Sequence, residues 1–377
     1  MGGKDAYQAE LFQNRLVKKY RRLRKWARKN NVSCYRVYDR DIPEVPVVLD
    51  VYEFLPEEVG STESCARFLA EQSARYAAND PLVEEESARR RYAVLSLYER
   101  PYEKPEDEER AWLELAARAA AAALHIPPER VVCKERRRQK GAAQYEKAAP
   151  GADIAGMVQE QGQLFHVNLS KYIDTGLFFD HRPLRALIRE TSAGKDVLNL
   201  FCYTGSFSVY AAQGNARRVV SVDLSNTYLA WARGNMACNG FSDAARYLFV
   251  KSDVLSFLDA AASRPAVGGG RYGIIVLDPP TFSNSKSGGT LLDINRDWSL
   301  LVSKCLSLLA DDGVLYFSTN SRKLSIERRG ASELLHGRDG LRVRIEDITE
   351  ASVPEDCKGV RSHRCWKIFL EKDGTPS

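Results

Sequence analysis

Four short stretches of this chain end in residues that could handle a nucleoside. The first is Asn199-Leu-Phe-Cys-Tyr-Thr-Gly205-Ser-Phe-Ser208, a loop with one glycine after the apolar run Asp196–Leu200. Glycine there lets the backbone come close to a ligand, and a helix starting behind it offers free N–H groups. The second run, Arg218–Asp223, ends in a carboxylate able to accept hydrogen bonds from both hydroxyls of a ribose. The third, Tyr247–Lys251, leads to Ser252-Asp253, where a short carboxylate can accept from an adenine amino group. The fourth, Gly273–Asp278, opens into Asp278-Pro279-Pro280-Thr281, at the strand end where open α/β sheets hold reacting ligands. Isolated acids after strands are common; four such ends in succession define a site. A dinucleotide fold would show G-x-G-x-x-G beneath its pyrophosphate. The single Gly205 disfavours that arrangement, and with it a nicotinamide-linked oxidoreductase.

For these ends to meet, the chain from about residue 180 must form a parallel sheet with crossover helices. Strands are expected at Asp196–Leu200, Arg218–Asp223, Tyr247–Lys251, Gly273–Asp278 and Gly313–Ser318. Helices are expected at Leu184–Glu190, Ser206–Gln213, Asn226–Asn239 and Trp298–Leu309. The first half reads differently. Leu16, Tyr20, Leu23 and Ala27 recur at helical spacing inside a basic segment, Arg15–Lys29, closed by Asn30-Asn31. Strands at Cys34–Tyr38 and Val45–Phe54 precede an alanine-rich helix, Ala111–Leu124, closed by Pro127-Pro128. Further strands at Val131–Cys133 and Phe165–Leu169 flank a second basic block, Lys134–Lys140. The expected organisation is an α+β substrate-facing domain over residues 1–165 and an α/β domain over 166–377.

The 377 residues carry a net charge of +5, and that charge, concentrated in the two basic stretches, points to a nucleic-acid partner more than its total does. No apolar run reaches about 18 residues, and Met1–Glu10 lacks an apolar signal core. Eight scattered cysteines without a CxxC pair suit a reducing, cytoplasmic compartment.

Taken together, Asn199–Ser208, Ser221–Leu229, Asn239-Gly240 and Leu277–Lys286, with Cys34–Asp39, Lys134–Tyr145 and Asp174–Arg182, resemble one family. It is the bacterial large-subunit ribosomal RNA guanine-N7 methyltransferase family, often the C-terminal half of a fused two-activity enzyme. The resemblance spans nearly the whole chain. It implies a class I Rossmann-like domain that uses S-adenosyl-L-methionine, behind an N-terminal RNA-facing α+β domain. It implies 23S ribosomal RNA, or a large-subunit precursor, as partner. A freestanding form is expected, because the fused enzymes carry a second methyltransferase half upstream. It also implies roles for particular residues. Phe201, Tyr203 and Gly205 would line the methionine end, with Asn199, Thr204 and Ser206 beside them. Asp223 and Leu224 would hold the ribose, Asp253 and Val254 the adenine. Asp278, Pro279, Pro280 and Thr281 would form the reaction centre, and Asp180 and Arg182 would close over the cofactor.

A sulfonium methyl is already activated, so the protein must mainly align it with a nucleophile. Methylation at pyrimidine C5 needs a cysteine nucleophile. The expected positions read Thr281 and Phe317-Ser-Thr-Asn-Ser321 instead, which disfavours that acceptor. The exocyclic guanine N2 needs its lone pair localised, which Asp278-Pro-Pro could do. Guanine N7 has an exposed lone pair and no proton to lose, and a carboxylate would stabilise its cationic product. Local chemistry permits both; the resemblance favours N7.

Phe282 could stack on an extruded base or fill a core. Arg136, Arg137, Arg138 and Lys140 could grip phosphates or merely solvate a hairpin. A catalytically silent RNA-binding module is the non-enzyme alternative, yet all the strand-end acids and the Pro-Pro pair are present. Cys357, His363 and Cys365 lie close in sequence without a fourth ligand, so no metal is expected. His181 is assigned no chemistry.

Overall fold

The computed structural model describes residues 3–98, 105–136, 153–263, 270–283, 292–321, 323–326, 341–359 and 362–372. They fall into two compact units, Met1–Phe179 and Asp180–Ser377. The division comes later than the expected 165/166 because the segment after the last strand stays with the first unit. Thr175 bonds the Asn168 N–H through its carbonyl and the Tyr52 hydroxyl through its own, and Phe179 lies against the Tyr52 ring.

In the first unit the helix α1 (Gly3–Lys29) begins well before Arg15 and buries the expected stripe of Leu16, Tyr20, Leu23 and Ala27, extended by Phe12. Strands β1 (Cys34–Asp39) and β2 (Val47–Glu53) are followed by two helices, α2 (Thr62–Ala77) and α3 (Leu82–Arg89), then β3 (Arg91–Tyr98). Helix α4 (Glu106–Leu124) opens on four acids that favour its positive N-terminal dipole end, and leads to β4 (Val131–Arg136). The four strands form one sheet in chain order, antiparallel except for the parallel β3–β4 pair. Helices α1 and α4 share its hydrophobic core and are joined by Trp112 Nε1 donating to Gln8 Oε1 at 3.0 Å. A hairpin, β5 (Ala155–Glu160) and β6 (Gln163–Asn168), bridges back to Val32 through Glu160.

The second unit runs α5 (Arg182–Thr191), β7 (Asp196–Leu200), α6 (Ser206–Gln213), β8 (Arg218–Asp223), α7 (Asn226–Cys238), β9 (Tyr247–Lys251), α8 (Val254–Ser263) and β10 (Tyr272–Leu277). A two-residue pair, β11 (Phe282–Ser283) and β12 (Leu292–Asp293), precedes α9 (Ile294–Leu308). Next come β13 (Leu309–Thr319), β14 (Leu341–Asp347), the short α10 (Thr349–Ser352) and β15 (Arg364–Lys372). The sheet order is β14-β15-β13-β10-β7-β8-β9. Neighbours β13, β10, β7, β8 and β9 are parallel, while β15 runs antiparallel between β13 and β14.

Strands β7, β8 and β9 have the bounds their apolar runs predict. Helix α9 starts before the expected Trp298, because Asp293 accepts the Asn295 N–H and caps it earlier. The strand order reverses at β7, between β10 and β8. A ligand crevice belongs outside the carboxyl ends of those strands.

Candidate active site

The loop after β7 is shaped from beneath. Asn199 is 1% exposed, and its Nδ2 donates to Ser208 Oγ at 2.9 Å. Ser208 shares a further 2.7 Å bond with Ser221, so this buried chain ties β7, α6 and β8 together. Asn199 therefore has a positioning role in the loop. Above it, Phe201, Tyr203 and Gly205 all have positive φ, at 54°, 49° and 75°. For Phe and Tyr that backbone costs about 1–3 kcal/mol each and persists only where its surroundings enforce it. Here the Cys202 N–H donates to Val222 O at 3.0 Å, and the Tyr203 N–H donates to Asp223 Oδ2 at 3.0 Å. At Gly205 a Cβ would lie 2.8 Å from Ala232 Cβ, so both the conformation and the approach of α7 demand glycine. Buried Thr204 is held through its carbonyl by Asn235 Nδ2 at 2.9 Å, and Ser206 opens α6.

The acids expected around this loop stand at the strand ends. Asp223 accepts the Tyr203 N–H on Oδ2 and the Ser225 N–H on Oδ1. Burial pushes its carboxyl above the ordinary range, and the backbone N–H groups of Ser225, Tyr203 and Leu224 only partly offset that. Leu224 beside it is 41% exposed and offers an apolar wall. Asp253 Oδ1 accepts from Ser256 N at 3.0 Å and Ser256 Oγ at 3.2 Å, capping α8. The Val254 side chain belongs to the core, which leaves only its backbone for a ligand. Asp278, just past β10, accepts the Ser318 hydroxyl on Oδ1 at 2.5 Å, and its side chain keeps 24% exposure. Pro279 is buried, while Pro280 and Thr281 are half-buried. Phe282 is 57% exposed, a position that suits stacking and not core packing.

Behind Asp278 lies a cluster the sequence did not announce. His181 Nδ1 is 3.3 Å from Asp180 Oδ1, and its Nε2 is 3.6 Å from Asp278 Oδ1. The His181 ring stacks on His363 with centroids 4.5 Å apart. His363 in turn contacts Ser352 Oγ at 2.8 Å, Ser362 Oγ at 3.0 Å and Asp180 Oδ2 at 3.6 Å. Burial alone would raise the Asp180 carboxyl, but His181 and then His363 outweigh it and hold it well below the usual range. Burial disfavours a charged His181, yet Asp278 and Asp180 overcome that and raise its pKa. Arg182 is buried and donates to Asp356 Oδ1 at 2.6 Å, which anchors the segment before β15. Arg182 thus has an ion-pair partner within the fold. The local signal was Asp180-His181; the convergence with Asp278 and His363 comes from topology alone.

Of the second basic block, Arg137, Arg138 and Lys140 lie outside the described residues, as does the Arg136 side chain. Lys134 is buried and donates to the carbonyls of Tyr172 and Ile173 at 2.6 and 3.1 Å, which removes it from any phosphate-gripping set. Among the described residues no group of three or more His, Cys, Asp or Glu is placed to hold a metal ion.

The crevice fits an adenosine-bearing sulfonium. It offers a backbone-held carboxylate at Asp223, an exposed apolar side chain at Leu224, and a close-approach loop that only glycine completes. It also sets a part-exposed carboxylate, Asp278, just past β10. Such a site on a seven-stranded sheet with one antiparallel strand defines a Rossmann-like methyltransferase. A family model described as S-adenosylmethionine-dependent methyltransferase matches residues 83–327, and S-adenosylmethionine is the cofactor.

Ribosomal RNA large subunit methyltransferase K of Neisseria meningitidis is 40% identical over 95% of this chain and 86% of its own length. Ribosomal RNA large subunit methyltransferase K/L of Magnetococcus marinus is 38% identical over 96% of this chain, which spans only 43% of that longer protein. The chain belongs to the family of ribosomal RNA large subunit methyltransferase K. Among solved structures, the methyltransferase SMU.776, complexed with SAH, superposes with a TM-score of 0.66 at 20% identity. That match covers 96% of this chain and 81% of the other, and it shows the shared fold.

Proposed function

We propose that this chain methylates guanine N7 in 23S ribosomal RNA, alone or within a large-subunit precursor, in the cytoplasm. Asp278 carries the reading: a part-exposed carboxylate at the end of β10, braced by Ser318 and faced from behind by His181. Bound S-adenosylmethionine supplies the activated methyl. The chain's own task is to hold the ribose on Asp223, seat the base beside Phe282 and stabilise the positive charge that N7 acquires. Pyrimidine C5 is disfavoured further, because Cys202 and Cys365 are buried and burial pushes both thiols up, away from the nucleophilic thiolate.

Features of the first unit support an RNA partner. On α1, Arg15 and Lys19 pair with Asp41, and Arg24 pairs with Glu84, but Lys18, Arg21, Lys25, Arg28 and Lys29 remain exposed. Arg28 lies 4.1 Å over the Tyr76 ring in a cleft also lined by Arg24, Phe54 and Phe68, a mixture of cations and rings that suits unpaired bases. No helix among the described residues is long and apolar enough to cross a membrane.

Guanine N2 is the second reading, because Asp278 beside Pro279-Pro280 could also localise an amine lone pair. Mass spectrometry of nucleosides from unmodified 23S RNA, incubated with protein and methyl-labelled cofactor, separates the two. Labelled N7-methylguanosine supports the proposal, and labelled N2-methylguanosine replaces it. Cofactor binding without any label would leave a particle-bound substrate or a silent RNA binder.

A further inference from the structure

We propose that His181 is a positioning residue for methyl transfer. It shares a proton with Asp278 and fixes the inner oxygen of that carboxylate, so that the outer oxygen faces the accepting nitrogen. The inference rests on Asp278 standing at the reaction centre, as proposed above.

A histidine kept only for packing would have both ring nitrogens satisfied within the fold. His181 is 3% exposed, its Nδ1 is engaged by Asp180, and its Nε2 is buried without a hydrogen-bond partner. That Nε2 faces Asp278 Oδ1 at 3.6 Å, slightly beyond bonding distance. Without a proton between them, a nitrogen lone pair would face a carboxylate oxygen in a buried space. With one, the contact becomes a charge-assisted hydrogen bond. The same Oδ1 accepts the Ser318 hydroxyl, so the inner oxygen is braced from two sides and the outer one is left for substrate.

Every element packed on the ring bears on that proton. Asp180 and Asp278 favour it, and Arg185 on α5 disfavours it. From the segment before β15, His363 stacks against one face, while Phe207 of α6 meets the ring edge-on at 5.7 Å. The balance leaves His181 with a raised pKa, in line with the geometry. During methylation at N7 the N–C bond forms as the S–C bond breaks, and the positive charge passes to the base. No proton leaves the base, and the shared proton stays on the His181–Asp278 axis.

The test compares His181→Leu, which removes the donor, with His181→Gln, which keeps an N–H but cannot titrate. Single-turnover rates on 23S RNA are read against pH, beside cofactor affinity by titration calorimetry. His181→Leu should lose roughly 100-fold in rate at unchanged affinity, the scale of a misplaced catalytic group. His181→Gln should recover part of the rate. It should also lose the alkaline decline of the parent protein, which follows deprotonation of His181 as pH rises through its raised pKa.

A second readout needs no activity. The chain has five histidines, and the imidazole NMR signal missing in His181→Gln identifies residue 181. In Asp278→Asn that signal should titrate at lower pH. Parent-like rates in His181→Leu, a rate loss matched by an equal affinity loss, or an unmoved His181 titration in Asp278→Asn would each overturn the proposal. If the parent protein leaves 23S RNA unmethylated, the functional reading fails, and the NMR arm still decides whether the two residues pair.

Discussion

Arg91 in the first unit and His181 in the second are both buried basic side chains, but their surroundings differ. Arg91 donates to Ser87 Oγ at 2.7 Å, Glu84 Oε1 at 3.2 Å and Leu124 O at 3.3 Å, so its guanidinium is answered from three sides within the fold. His181 is answered on one nitrogen and points the other at the carboxylate exposed in the crevice. The strained backbone follows the same division. Phe201 and Tyr203 occupy left-handed conformations in the loop after β7, whereas the other left-handed side chains, Asn31, Arg40, Asn79, His125 and Gln161 in the first unit and Asn215 in the second, sit at turns and helix ends. A charge satisfied entirely inside the protein holds a fold together; one left partly unanswered at a crevice is available for chemistry.

That contrast can be broken in several places. The largest expected effect is Asp278→Asn, which should slow single-turnover methyl transfer about 10²- to 10³-fold, with cofactor affinity nearly unchanged. Equal losses in both would remove its catalytic role. Gly205→Ala forces a side chain into left-handed backbone against Ala232, a cost of about 1–3 kcal/mol or roughly 5- to 150-fold in cofactor binding by calorimetry. Arg91→Met should lower the melting temperature of the first unit's core by several degrees, because it removes the donor to buried Ser87 and to the Leu124 carbonyl, while leaving cofactor affinity intact.

A smaller effect concerns pH. The raised pKa of Asp223 means that it gains a proton, and loses accepting power toward ribose, at higher pH than an exposed aspartate would. Cofactor affinity should therefore weaken early as pH falls, and Asp223→Asn should flatten that dependence while binding weakly throughout. The smallest effect lies on α1. Replacing Lys25 and Lys29 with alanine should reduce the salt slope of RNA binding by about 0.7–0.9 per lost phosphate contact. Replacing Arg15, already paired with Asp41, should leave it flat.

The second unit was legible because its central strands are buried and its acids mark their ends. Burial along β7 is continuous, and Val197, Leu198 and Leu200 gave Asp196–Leu200 a short apolar signal. The first unit hid more. Helix α2 buries only Cys65, so it shows no apolar stripe to betray it. Strand β3 is paired on both sides and buried along most of its length, and a run without alternation cannot be told from a buried helix by period. The β14–β15 pair escaped because β14 has no fully buried residue, which leaves a weak edge-strand signal. The strand-end positions of Asp223, Asp253 and Asp278 could be read from the apolar patterning alone. The role of His181 could not, because its partners arrive from distant segments.

The antiparallel β15 also sets a schedule. Arg182 and Asp356, which pair in the interior, are 174 residues apart, and His363 sits just ahead of β15. A chain leaving the ribosome N-terminus first can shape the Phe201–Gly205 loop early, but Asp180 and His181 wait for the last strand to slide between β13 and β14. The packing behind Asp278 is thus completed late, and a nascent chain stalled before Asp356 would carry the loop without Asp356 against Arg182 or His363 against His181.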